Sequence, residues 1–244
     1  MAVVTITREL GSEGDRIAEK LAQTLGCDYV DRWLIEEVAR LTDAAPAEVE
    51  TLDEKGEGRI EYFLKCLLVP EFAVRRGGRG QAGYTPFSSA VYFPGFGLEF
   101  PYALEREAAG SSPWLDRGTY QLLITTLVQD LGQTGQVVIV GRASQVILAN
   151  HPQAVHLKIV APFETRCQRV AQSLGVGAAD ARNLVEQHDR WRQSYLRNYY
   201  QQDWDNPLLY HLTINTGKLQ PADAADLIAR YVGRLERAEA AGSA

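Results

Sequence analysis

The N-terminal segment VVTITRELGSEGDRIAEKLAQTLGCDYVDRWLI constrains the fold more than any other stretch of the chain. An apolar β-branched run from Val3 to Ile6 meets a short loop carrying Gly11 and Gly14. In the segment that follows, Ile17, Leu21, Ala22 and Leu25 recur at helical spacing. Strand, glycine loop and helix in that order form an arrangement in which backbone N–H groups and the positive helix end hold a phosphate. The common phosphate-loop signature G-x-x-x-x-G-K-[ST] is absent. Asp15 and then Arg16 follow the last glycine, where that signature has its lysine.

Downstream, Cys27 to Val30 read as a second short strand ending at Asp31-Arg32, followed by a helix to about Leu41. Pro46 opens a further segment, AEVETLDEK, and Arg59 to Leu68 is helix-like. Residues 75–100 are dense in glycine and proline among many aromatics, which rules out a regular helix. Residues 69–114 therefore read as an irregular insertion within a single domain spanning 1–244. Periodicity returns at Asp116, with Tyr120, Leu123, Ile124, Leu127, Val128 and Leu131 on one helical face and Gly135 as the stop. Val137 to Val140 is an uninterrupted apolar strand ending at Gly141-Arg142, the pattern of a parallel sheet buried on both faces. A strand over 155–160, helices over 163–174 and 178–200, a strand over 211–214 and a helix over 222–238 complete the chain.

Strands alternating with helices predict βαβ crossovers and an α/β fold with a doubly wound parallel sheet. In such sheets the ligand lies beyond the carboxyl ends of the strands. That rule selects Arg8 to Gly14, Asp31-Arg32, Gly141-Arg142, Ala161-Pro162 and Asn215-Thr216.

Charge and cysteine usage narrow the function classes. The net charge of −6 argues against bulk nucleic-acid binding, which needs a basic face. Yet 20 of the 25 basic residues are arginine, whose planar fork pairs bidentately with phosphate or carboxylate; an Ala- and Arg-rich genome gives the same bias. Cys27, Cys66 and Cys167 are scattered without metal-ligand spacing and read as reduced thiols. No apolar run is long enough to span a bilayer, and the N-terminus lacks the pattern of an export signal, so a cytoplasmic location is expected. The arginine-glycine run at 75–80 and the aromatics after it could stack bases of a single strand; an arm packing on the core or on another subunit suits an acidic chain better. A homo-oligomer formed through the 69–114 insertion is the expectation on that side.

Five motifs in order carry a resemblance to the cytidylate kinase-like family, an offshoot of the nucleoside monophosphate kinases. The family's ITISR-x-x-G-S-x-G-x-x-I-A stands here as ITRELGSEGDRIA. Its Asp-Arg after the second strand is Asp31-Arg32, and its V-x-V-G-R is VIVGR, ending in Arg142. Its D-x-x-R followed by a tyrosine-rich stretch is DRWRQSYLRNYY, and its Asn-Thr-Gly is Asn215 to Gly217. The match is close over Val4 to Val30 and Val137 to Val232, and loose over about 55–115. The resemblance implies a P-loop kinase-type fold and a phosphotransferase moving phosphate from ATP, with Mg²⁺, to a nucleoside monophosphate or similar small phosphorylated acceptor. Cytidylate kinases proper carry the loop lysine, and Gly-Arg-Asp where this chain has Gly141-Arg142-Ala143. The family's own loop lacks the lysine as well. These departures support a second reading, a nucleotide-binding sensor or pseudokinase without transferase activity.

Site expectations follow from position. The backbone at Gly11, Ser12, Glu13 and Gly14 would cradle a donor phosphate, with the Ser12 hydroxyl as an extra donor or a metal contact; the alternative is a plain turn with Ser12 as helix N-cap. Arg8 and Arg16 would supply the charge of the missing lysine, unless Arg16 faces solvent and pairs with Glu13 or Glu19. Asp31 and Arg32 lie where monophosphate kinases bind the acceptor, although Asp31 also suits a helix N-cap. Arg142 would hold the acceptor. Arg166, Arg169, Arg190 and Arg192 fall where the family's lid supplies phosphate contacts, and Asp189 would orient Arg192 or hold a magnesium water. No histidine has a nucleophile or metal partner at meaningful spacing, so none is assigned.

Overall fold

The computed structural model describes residues 2–31, Glu37 and 117–242. Apart from Glu37, the predicted helices between Arg32 and Leu68, the 69–114 insertion, Arg32 and Cys66 lie outside the described residues. Within them the chain runs β1 (Val3–Arg8), α1 (Gly14–Leu25), β2 (Asp28–Val30), α2 (Arg117–Thr134), β3 (Val137–Val140), α3 (Ser144–Ile147), β4 (Ala154–Val160), α4 (Phe163–Leu174), α5 (Ala178–Tyr200), β5 (Leu212–Asn215) and α6 (Pro221–Gly242). The strands form one parallel sheet in the order β2-β3-β1-β4-β5. This is the doubly wound α/β arrangement expected. Because β1 lies between β3 and β4, the chain reverses its winding direction at β1, and a crevice opens beyond its carboxyl end. Arg8 stands at that end.

The two faces of the sheet differ. One is wholly apolar: Val4 and Ile6, with Val138, Val140, Leu157 and Ile159, pack against Ile17 and Leu21 of α1 and Ala225 and Ile228 of α6. Alternate residues point the other way. There Thr5 pairs in register with His156, and Thr7 with Lys158. All four are buried. Thr5 Oγ1 and His156 Nδ1 are joined by a 2.8 Å hydrogen bond, and the His156 ring stacks on His211 at 5.0 Å.

Burial first, and the neighbouring His211 second, bring the His156 pKa down from 6.5 to about 4. The unfolded chain thus takes up a proton on this residue before the folded chain does. Stability contributed by neutral His156 is complete above about pH 6.5 and is lost as pH falls toward 4. Urea unfolding at about pH 7.5 and about pH 5 should differ by roughly 2 kcal/mol on account of this one group. His156→Gln should shrink that difference; an unchanged pH slope in the variant would contradict the account.

Among the described residues no helix is long and apolar enough to cross a membrane, and Cys27 and Cys167 are free thiols.

Candidate functional site

The loop between β1 and α1 is held from behind by its own carbonyl oxygens. Ser12 donates to the Glu9 carbonyl from both its backbone N–H (3.1 Å) and its hydroxyl (2.7 Å). Arg166 Nη1 reaches the Leu10 carbonyl at 3.5 Å, Arg169 Nη1 the Gly11 carbonyl at 3.2 Å, and Thr216 Oγ1 the Ser12 carbonyl at 2.8 Å. In a trans peptide the N–H points opposite to the C=O, so these bonds turn the Gly11 and Glu13 N–H groups away from the protein framework. Glu13 occupies the N-cap of α1 in a left-handed conformation (φ 61°) with no side-chain cap, leaving the helix start open to an anion.

Both glycines are required by close approach. A Cβ on Gly11, whose φ is +78°, would lie 2.6 Å from the Arg166 carbonyl oxygen. One on Gly14 would lie 2.4 Å from Arg8 Cβ.

Ser12 is fully buried and is not the N-cap. Its hydroxyl donates to the Glu9 carbonyl and has no solvent exposure. Arg16 is largely exposed and donates to Glu13 Oε1 at 2.8 Å, the solvent-facing alternative allowed by its spacing.

Arg166 braces the loop. Its guanidinium is buried and contacts Glu9 Oε2 at 3.1 Å, Asp189 Oδ2 at 2.9 Å and the Ala161 carbonyl at 3.1 Å. Glu9 Oε2 also accepts the Ala161 N–H at 3.0 Å. Burial, only partly offset by Ala161 and Arg166, raises the Glu9 pKa. Asp189 is therefore the partner of Arg166, tying α5 to α4 and the loop. Arg190 sits on an exposed face beside Glu186 at 3.6 Å.

Arg8, Arg142 and Arg192, from the ends of β1 and β3 and from α5, line one cavity of about 90 Å³. Thr7, His188, Trp191, Tyr195 and Trp204 complete much of its wall. Arg8 Nε donates to Asp15 Oδ1 at 2.8 Å, and its Nη2 to Asp31 Oδ2 at 3.4 Å. Asp31 thus faces the site. The chain leaves β3 through three successive left-handed residues, Gly141 (φ 77°), Arg142 (φ 58°) and Ala143 (φ 53°). A non-glycine residue in this region is held at a cost of about 1–3 kcal/mol, and such strain gathers at ligand sites. The Gly141 backbone passes close under Arg8, whose Nη1 would be 3.0 Å from an added Cβ.

Several residues of the cavity have no local sequence signal. His188 is neutral at physiological pH: burial, then the charges of Arg192 and Arg8, lower its pKa to about 3. Trp204 is fixed by Lys158, whose Nζ lies 4.1 Å from the indole centroid and donates to the Trp204 carbonyl at 3.1 Å and to Asp205 Oδ1 at 2.7 Å. A signal for Lys158 did exist. In the strand AVHLKIV, His156 and Lys158 interrupt an apolar run at a period of two, marking a polar stripe on one face.

Comparisons with known proteins agree with this architecture. A cytidylate kinase from Thermoplasma acidophilum is 24% identical over 158 residues, covering 64% of this chain and 82% of the relative. A uronate isomerase from Corynebacterium glutamicum is 29% identical over 97 residues, 40% of this chain; the matched segment spans only 19% of that relative's length. The crystal structure of an uncharacterized protein from Eubacterium ventriosum superposes with a TM-score of 0.58 at 20% identity, covering 96% of this chain and 99% of that one. The profile of the cytidylate kinase-like family matches residues 3–218. With that match over most of its length, the chain belongs to the cytidylate kinase-like family.

Proposed function

We propose that this protein is an ATP- and Mg²⁺-dependent phosphotransferase whose acceptor is a nucleoside monophosphate. The observation that carries the reading is the convergence of Arg8, Arg142 and Arg192 on one cavity, with Arg8 also packed against the start of the open helix α1. Phosphoryl transfer asks a protein chiefly to position two phosphates in line and to neutralise the charge between them. The 11–14 loop and the α1 N-terminus suit the donor phosphates, and Arg142 and Arg192 suit the acceptor. Arg8 stands at the junction of the two, where charge develops during transfer.

Magnesium takes one or two carboxylates together with substrate phosphate oxygens. Asp15 and Asp31 are both engaged by Arg8, so a magnesium ion at the loop would be held chiefly by the donor phosphates. A bound ion there would neutralise the donor phosphates. The family relationship supports the same donor and metal. The name of the Thermoplasma relative makes CMP the first acceptor to try.

One observation favours a non-catalytic sensor instead. Asp15 stands where the usual signature has lysine, and its 2.8 Å pair with Arg8 offsets the charge that would replace that lysine. The deciding measurement is ATP consumption against CMP, UMP, AMP and GMP, with and without Mg²⁺. Metal-dependent phosphorylation of at least one of them is expected. ATP binding without transfer to any would leave the sensor reading in its place.

A further inference from the structure

We propose that Gln145 is the residue that selects the acceptor, reading the hydrogen-bonding edge of a nucleobase; this rests on the reading of the cavity as the acceptor site. Gln145 lies on the short helix α3, directly after the left-handed run at 141–143, and lines the same cavity as Arg8 and Arg142. It is 1% exposed. Neither its carboxamide oxygen nor its nitrogen has a hydrogen-bond partner among the described residues. Tyr210 is a polar neighbour: its hydroxyl proton goes to the Trp204 carbonyl at 2.8 Å, and its oxygen lies toward the carboxamide without reaching hydrogen-bond geometry. A buried polar group left unpaired destabilises the fold, whereas an apolar side chain of the same shape would not. The carboxamide is therefore explained by a partner that the described residues do not supply.

The chemistry of that partner follows from the wall around it. A carboxamide offers an N–H donor and a carbonyl acceptor side by side, and turning it over exchanges their order. Its complement is an edge with an adjacent acceptor and donor, as on the pairing edges of nucleobases. The flat walls of Trp191, Tyr195 and Trp204 suit a planar ring, and the arginines suit a phosphate carried on its sugar. A sugar phosphate without a base would satisfy the arginines and leave Gln145 unpaired. Recognition of this kind discriminates strongly, because the wrong ligand leaves a buried polar group unmet.

The test compares wild type with Gln145→Met, similar in length and apolar, using calorimetric titration with CMP, UMP, AMP, GMP and ribose 5-phosphate. Wild type should bind at least one nucleotide at least about tenfold more tightly than ribose 5-phosphate, and the variant should lose that preference. The variant should also melt at the same temperature as wild type or higher, since an unpaired polar group has been removed. A gain in stability together with a loss of base preference is a signature that a packing role cannot produce. The proposal is overturned if the variant keeps the preference, if it melts well below wild type, or if wild type binds no nucleotide better than ribose 5-phosphate. Preference lost in the variant, with no phosphate transfer by wild type, would support Gln145 and remove only the transferase reading. Transfer with the preference intact in the variant would remove Gln145 alone.

Discussion

Arg166→Met should lower the free energy of unfolding by about 3–5 kcal/mol, the range for removing one partner of a buried ion pair. The Arg166 side chain is 7% exposed, and the carboxylates it holds, Glu9 and Asp189, are 16% and 20% exposed. Methionine fills much of the same space, so the loss would come from two half-buried carboxylates left without a cation. Glu9 is the more sensitive of the two. Its pKa is already raised by burial, with Arg166 among the groups holding it down, so removing Arg166 pushes it higher. A carboxyl group with a raised folded-state pKa binds its proton in the folded chain first. The deficit of the variant relative to wild type should therefore shrink as pH falls into the carboxylate range. Urea unfolding of both proteins at neutral and mildly acidic pH measures this directly. A difference below about 1 kcal/mol at neutral pH would mean that the network is solvated and holds nothing together. The same variant frees the Leu10 carbonyl, so the loop should also bind ATP less tightly.

This brace shows where the sequence ceased to be legible. The elements of the sheet and its flanking helices could be read because each carries its own period. Tyr120, Leu123, Ile124, Leu127, Val128 and Leu131 recur along α2 and are all buried, and the four β-branched residues of β3 are buried on both faces. The edge of the sheet that bears the site followed from topology. The partners within the site did not. Glu9 meets Ala161 across 152 positions and Thr216 meets Ser12 across 204, and no local pattern encodes such pairings. An arginine on an amphipathic helix looks the same in sequence whether it reaches a phosphate or braces a loop. Arg166, expected at a phosphate, is committed to Glu9 and Asp189, while Arg192 on the next helix lines the cavity. The four-residue helix α3 is too short to show a period, so Gln145 carries no sequence signal. His188 has no partner at meaningful sequence spacing because its relevant neighbours, Arg8 and Arg192, come from different parts of the fold.

Arg8→Ala should lower kcat by two to three decades, about 3–4 kcal/mol, the loss expected when one charged group that stabilises the transition state is removed. Position carries the argument. Arg8 ends the central strand, its Nη1 lies close over the Gly141 backbone, and it borders both the loop and the cavity lined by Arg142 and Arg192. Asp15 and Asp31 fix the guanidinium from two sides, so little reorganisation is needed when charge develops beside it. Those carboxylates also complicate the variant, because alanine leaves them without their cation. Stability must then be measured alongside activity, and kcat taken at saturating ATP and acceptor. Arg8→Lys separates charge from geometry: it keeps the cation but loses the fork that spans both aspartates, and its kcat should fall between wild type and alanine. Asp15→Asn tests the opposing view, in which Asp15 silences Arg8. If the protein is a sensor whose Arg8 is neutralised, this change should create transfer activity where wild type has none. If it is an enzyme whose Arg8 is held in place, the same change should lower kcat. Wild-type turnover that survives unchanged in Arg8→Ala would place the charge for transfer on another residue, with Arg192 the next to replace.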